Sequence, residues 1–140
     1  MAVPPDLRYP AHIGVATRDI DEAIQRLTPQ WGTTWETPRF RELQLWTPEG
    51  TVDWTFRVAH SSGPMGMELL EGSPGSIWAS DESTHLHHYA YWSDNFPNEV
   101  EALRANGWTL EITSPNEEGL PSVFAYFRKP GGLRVELIAR

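Results

Sequence analysis

The stretch His85-Leu86-His87-His88-Tyr89-Ala90-Tyr91-Trp92 has a partial copy, His12-Ile13-Gly14-Val15-Ala16-Thr17, whose His lies 76 positions before His88. In both, a His opens a short run with strand character and a helix signal follows at the same distance. Asp19 to Leu27 lines up without a gap on Asn95 to Leu103. Further on, Met67-Glu68-Leu69-Leu70 matches Val135-Glu136-Leu137-Ile138 at a separation of 68, which also pairs Phe56 with Phe124 and Gly63 with Gly131. Each half of the chain thus carries one His near its start and one Glu near its end.

Working outward, residues 1–10 read as a Pro-containing lead-in. Ala11 to Ala16 reads as a strand with Ile13 and Val15 on one face and His12, Gly14 and Ala16 on the other. Asp19 and Glu22 form a capping box ahead of a helix whose stripe is Ile20, Ala23, Ile24 and Leu27, ended by Pro29 and Gly32. Strands are expected at Phe40–Thr47, Val52–Val58 and Met65–Glu71, with turns at Pro48-Glu49-Gly50 and Ser61-Ser62-Gly63-Pro64. Residues 72–84 carry no strong pattern and bridge the halves. The order then repeats: a strand over 86–92, a helix from Asp94 or Asn95 to Gly107, and strands over 108–112, 123–128 and 133–139. The expected fold is α+β, a single domain over 1–140. It consists of two βαβββ modules, about 11–71 and about 85–140, that face one another across a cleft.

Bulk composition narrows the function classes. A chain of 140 residues with 39% hydrophobic and 21% charged residues is of single-domain size and globular in character. A net charge of −8 argues against nucleic acid or an anionic membrane surface as partner. The absence of Cys excludes disulfides, thiolate metal sites and a Cys nucleophile. No signal-peptide pattern opens the chain and no apolar run reaches membrane-spanning length, so a cytoplasmic location is expected. Seven Trp read first as packing and second as the walls of an aromatic pocket.

A pseudo-twofold between the modules carries His12 onto His88 and Glu68 onto Glu136. On the face of each His the next residue is very small, Gly14 or Ala90, which leaves room beside the imidazole. Glu68 and Glu136 stand in apolar strands, where a buried unpaired carboxylate costs several kcal/mol, roughly. A divalent cation would neutralise both. Two neutral imidazoles and two carboxylates suit Zn, Fe(II), Mn, Co or Ni, with positions left for water or substrate. A lone strand His is most often a hydrogen-bonded structural group, and a lone Glu a solvated one. The matched pair of pairs is what points to a ligand set. His87 falls on the opposite strand face from His88, and His85 precedes the strand; both read as surface groups. No phosphate-binding Gly-rich loop and no Ser-His-Asp context is present.

At these positions the chain resembles the vicinal oxygen chelate superfamily, the glyoxalase/bleomycin-resistance/dioxygenase fold, over about residues 11–140. His-Ile-Gly-Val-Ala resembles its first strand, His-His-Tyr-Ala-Tyr-Trp its fifth, and Phe124 to Leu137 its closing hairpin. The resemblance implies that His12, Glu68, His88 and Glu136 hold the metal. Within the superfamily, Met67 to Pro74 and Leu86 to Ala90 look most like the methylmalonyl-CoA epimerases. The Ser-Pro segment here is shorter, and Tyr89, Tyr91 and Trp92 are bulkier.

Two classes of function are compatible with these residues. In the first, an enzyme, the metal polarises a small carbonyl or acyl substrate, and Glu68 or Glu136 serves as the base for an epimerase-, isomerase- or lyase-type proton transfer. An extradiol-dioxygenase-like variant would use Fe(II) on His12, His88 and Glu136. In the second, a non-catalytic binding protein, Trp and Tyr side chains sequester an aromatic small molecule. Four ligand positions in register favour the enzyme. The resemblance also implies a homodimer.

Overall fold

The computed structural model describes residues 9–63, 66–81 and 83–140. Most of the lead-in at 1–10, and Pro64 and Met65 of the turn and strand start expected there, lie outside the described residues. The elements run β1 (Pro10–Ala16), α1 (Ile20–Trp31), β2 (Arg39–Thr47), β3 (Gly50–His60), β4 (Met67–Gly72), β5 (His85–Ser93), α2 (Phe96–Ala105), β6 (Thr109–Pro115), β7 (Pro121–Arg128) and β8 (Arg134–Ala139). This is the βαβββ order twice, and the fold is α+β as the repeat implies.

Contacts group the chain into two compact units, one of residues 12–43 with 54–87, the other of residues up to 11 with 44–53 and 88–140. Residues 44–53, the outer part of the β2–β3 hairpin, fall in the second unit because Trp46 pairs with Thr113 of β6 and packs on that unit's core.

In the first unit β4 lies between β1, parallel to it, and β3, antiparallel to it. Ile20, Ala23 and Leu27 of α1 pack with Val15, Ala59, Met67 and Leu69 into one core, with Trp35 against it. The helix begins where the sequence signals it. Asp19 is extended and its side chain accepts from the Glu22 backbone N–H at 3.1 Å. Pro29 does not end the helix. It sits in the last turn, where the lost N–H bond to the Gln25 carbonyl leaves the preceding turns intact, and the stop is Gly32 in the left-handed conformation at φ 60°.

The second unit repeats this plan with β8 between parallel β5 and antiparallel β7, and β6 beyond. Phe96, Val100 and Leu103 of α2 pack on Leu110, Ala125, Phe127 and Leu137. The separations of 76 and 68 survive as packing equivalents, Ile20 with Phe96, Leu27 with Leu103, and Leu69 with Leu137.

One equivalence is corrected. Phe56 faces Gly72 across its ladder, whereas Phe124 faces Ile138. Strands β3 and β7 are therefore displaced by two residues, so their structural separation is 66, pairing Ala59 with Ala125 and His60 with Tyr126. A shift of two keeps every side chain on its face.

The segment after β4 is less featureless than its sequence suggests. Ser73-Pro74-Gly75-Ser76 turns the chain so that Trp78, 1% exposed, packs on Phe56 with ring centroids 4.4 Å apart and on Trp54 at 5.9 Å. Gly72 lies under this turn. A Cβ there would stand 2.6 Å from the Trp78 backbone carbonyl carbon and 2.7 Å from its Cβ. Neither atom is the end of a flexible chain, so Gly72→Ala is expected to lower unfolding stability by about 1–3 kcal/mol. Asp19→Ala, which removes the α1 cap, should cost about 1 kcal/mol. Urea midpoints at unchanged m-value check both.

Candidate metal centre

Each unit brings one predicted His against one predicted Glu, and by the same device. On the first unit's parallel pair, Gly14 of β1 faces Glu68 of β4. Period 2 puts His12 on the face of Gly14, so the imidazole reaches the carboxylate diagonally across a residue with no side chain. His12 Nε2 lies 3.3 Å from Glu68 Oε1, with the two side chains only 12% and 15% exposed. On the second unit's parallel pair the register is the same, Ala90 of β5 facing Glu136 of β8. His88 Nε2 lies 3.1 Å from Glu136 Oε1, and the His88 side chain is completely buried. Leu69 and Leu137, next to each Glu, point the other way into the helix-covered cores.

His60 also meets Glu68. It ends β3, directly across the ladder from Glu68, and its Nε2 lies 3.0 Å from Glu68 Oε2. Its Nδ1 is 2.9 Å from Glu36 Oε1, which also accepts the His60 backbone N–H at 3.1 Å. The hydrogen bond to Glu68 raises the His60 pKa above the usual imidazole value against the opposing pull of burial, and Glu36 adds to the rise. The same contact with His60 holds the Glu36 carboxyl below its ordinary value. The sequence reading passed over His60. The signal was there: the alternation Val52, Trp54, Phe56, Val58 continues by one step onto His60, on the ladder face shared with Glu68.

The remaining histidines are not at the surface as expected. His87 is buried and donates from Nε2 to the Ile77 carbonyl at 2.9 Å. His85 is the first residue of β5, half-buried, with Nδ1 3.0 Å from the Ser80 hydroxyl. Both tie β5 to the Trp78 turn. The Trp content is largely accounted for by packing: Trp78 is in the core, and Trp35, Trp46 and Trp108 lie against the two helix-covered cores.

A pair of imidazoles and a pair of carboxylates, mostly withdrawn from water, is a donor set that fits a divalent ion of borderline softness. Burying a carboxylate in an apolar strand is unfavourable unless something neutralises it. Among the described residues, no helix is long and apolar enough to cross a membrane.

Comparison with known proteins bears on the fold and the family. The chain resembles the solved methylmalonyl-CoA epimerase of Mycobacterium tuberculosis, at 17% identity over 99% of this chain and 92% of that one, with a TM-score of 0.69. It resembles a variant of Streptomyces coelicolor methylmalonyl-CoA epimerase in complex with 2-nitronate-propionyl-CoA at 15% identity, over 94% of this chain and 96% of that one, with a TM-score of 0.64. A mutant 4-hydroxymandelate synthase from Streptomyces coelicolor matches at 15% identity over 94% of this chain but 48% of its own, also with a TM-score of 0.64. At these identities the likeness is one of fold. No curated protein sequence matches the chain. The model of the Glyoxalase/Bleomycin resistance protein/Dioxygenase superfamily matches residues 11–127. The chain, with its two βαβββ modules, belongs to that superfamily.

Proposed function

We propose that this chain is a metal-dependent enzyme in which His12, Glu68, His88 and Glu136 together hold one divalent ion. The substrate in this reading is a small carbonyl or acyl compound, with the acyl thioesters named for its structural neighbours as the first class to try. The observation that carries the reading is the repeated register: Gly14 faces Glu68 and Ala90 faces Glu136, with a His two residues before each small residue. Packing alone gives no reason for the arrangement to occur twice. The four residues are also of the number and type that can hold a metal ion.

When bound, the ion supplies a Lewis acid that polarises the substrate carbonyl. The rest is done by the chain. His12 and His88, each with its Nε2 turned towards a carboxylate, provide neutral nitrogen donors. Gly14 and Ala90 leave the room each imidazole needs to reach its carboxylate. A carboxylate oxygen of Glu68 or Glu136 takes the proton α to the carbonyl and the C–H electron pair moves towards the carbonyl oxygen; a proton taken from solvent on the opposite face, with the carboxyl giving its own proton back to solvent, yields the epimer. Epimerase, isomerase and lyase outcomes all share the first of these steps. The sequestering alternative draws its support from the Trp and Tyr content, of which packing takes up Trp35, Trp46, Trp78 and Trp108.

Protein purified without added metal is expected to carry close to one equivalent of a divalent ion by elemental analysis, with His12→Ala and Glu136→Ala each carrying almost none. Wild-type protein with no metal, or variants that retain it, would refute the site. Chelation followed by titration with Zn(II) or Co(II) should raise the melting temperature progressively with free ion, by about 2.7 kcal/mol of stability at a hundredfold excess over Kd. The Glu68→Gln and Glu136→Gln variants, incubated with an acyl thioester in deuterated water, should lose α-hydrogen exchange by about a hundredfold or more in whichever removes the base.

A further inference from the structure

The two modules treat their carboxylates differently. Glu136 faces Tyr126 across the β7–β8 ladder, and the Tyr126 ring packs on the His88 imidazole with centroids 4.9 Å apart. Glu68 faces His60, whose ring stands edge-on to His12 at 6.1 Å and bonds the carboxylate. The two oxygens of Glu68 are thereby divided: Oε1 lies beside His12 at 3.3 Å and Oε2 beside His60 at 3.0 Å.

The His60 ring is itself held at its far end. Glu36 Oε1 lies 2.9 Å from Nδ1 and accepts the His60 backbone N–H at 3.1 Å, while the Glu36 backbone N–H donates to the His60 carbonyl at 3.0 Å. Next to this, Trp35 and Ser61 form a backbone bridge. Three hydrogen bonds and a bridge between the same two short segments leave the imidazole little freedom to turn.

We infer that His60, braced by Glu36, is the positioning residue for Glu68, holding Oε2 so that the carboxylate meets an ion through Oε1 alone. The inference rests on the reading that Glu68 is a metal ligand. Outer partners of this kind orient a ligand before the ion arrives, and removing one weakens binding by about 10–100-fold. On the second module Tyr126 stands at the equivalent ladder position.

Co(II) titration of the chelated protein, followed by calorimetry and by the visible absorption whose intensity reports coordination number, tests this. His60→Phe keeps a ring and loses both nitrogens; it should bind Co(II) about 10–100-fold more weakly, with a weaker visible band as Glu68 swings to offer both oxygens. His60→Gln keeps an N–H donor near the position of Nε2 and should recover most of the affinity and the band. In a Glu68→Gln background, His60→Phe should have little further effect, because its action runs through that carboxylate. Should His60→Phe misfold, Glu36→Ala, which removes only the brace, is expected to weaken Co(II) binding in the same direction, by less than the about 10–100-fold of losing the outer partner itself. Wild-type-like Co(II) binding in His60→Phe, or His60→Gln as weak as His60→Phe, overturns the positioning role alone. Wild-type protein that takes up no Co(II) overturns the metal reading, and this inference with it.

Discussion

Two parallel strand pairs, β1 with β4 and β5 with β8, set the terms for everything polar in this fold. In a parallel pair each step along the strand advances the side chains by about 3.3 Å, and alternate residues share a face. A His two residues before the partner of a Glu therefore sits diagonally from it, at a distance long side chains can span but backbone groups cannot. The residue between them must be small, or the imidazole and carboxylate would be pushed apart. Gly14 and Ala90 meet that demand, and the resulting contacts are 3.3 and 3.1 Å.

The opposite faces of the same strands explain why such a polar arrangement is stable. Leu69 and Leu137 are fully buried against α1 and α2, in clusters that also take Val15, Ala59, Ala125 and Phe127. Apolar burial on the helix side, with each fully buried large side chain contributing about 1.5–3 kcal/mol, offsets the cost of withdrawing His12, Glu68, His88 and Glu136 from water. Each strand is thus divided by its own periodicity into a face that stabilises the fold and a face available for chemistry. The helices, one capped by Asp19 and one opened by Pro97 in its first turn, are what keep the apolar face covered.

Duplication of a module does not oblige its copies to stay equal. Here the cross-strand partner of the Glu is eight positions before it in one copy and ten in the other, which brings His60 to Glu68 but Tyr126 to Glu136. A displacement of two residues costs nothing in facing, since alternation is preserved. It changes only which residue type stands beside the carboxylate. One carboxylate thereby acquires an imidazole braced by Glu36 and the other a phenol ring, so the two are no longer chemically interchangeable.

By itself the chain's sequence determined the element order, the twofold repeat and the parity of each strand, because these follow from local periodicity and from Asp19, Gly32 and the turn glycines acting within a few residues. It also singled out the four candidate ligands, since His12 and His88, and Glu68 and Glu136, recur at matching places in each half. Register between distant strands is another matter: ladder hydrogen bonds are the same whichever residues they join, and only packing selects among them. Tertiary structure therefore decided that β7 is offset by two relative to β3, that His60 lies across from Glu68, and that His87 is buried against the Ile77 carbonyl. It likewise decided that Trp78 fills a core from a segment whose sequence carries no pattern, because burial there depends on what Phe56, Trp54 and Gly72 leave open rather than on any neighbour in the chain.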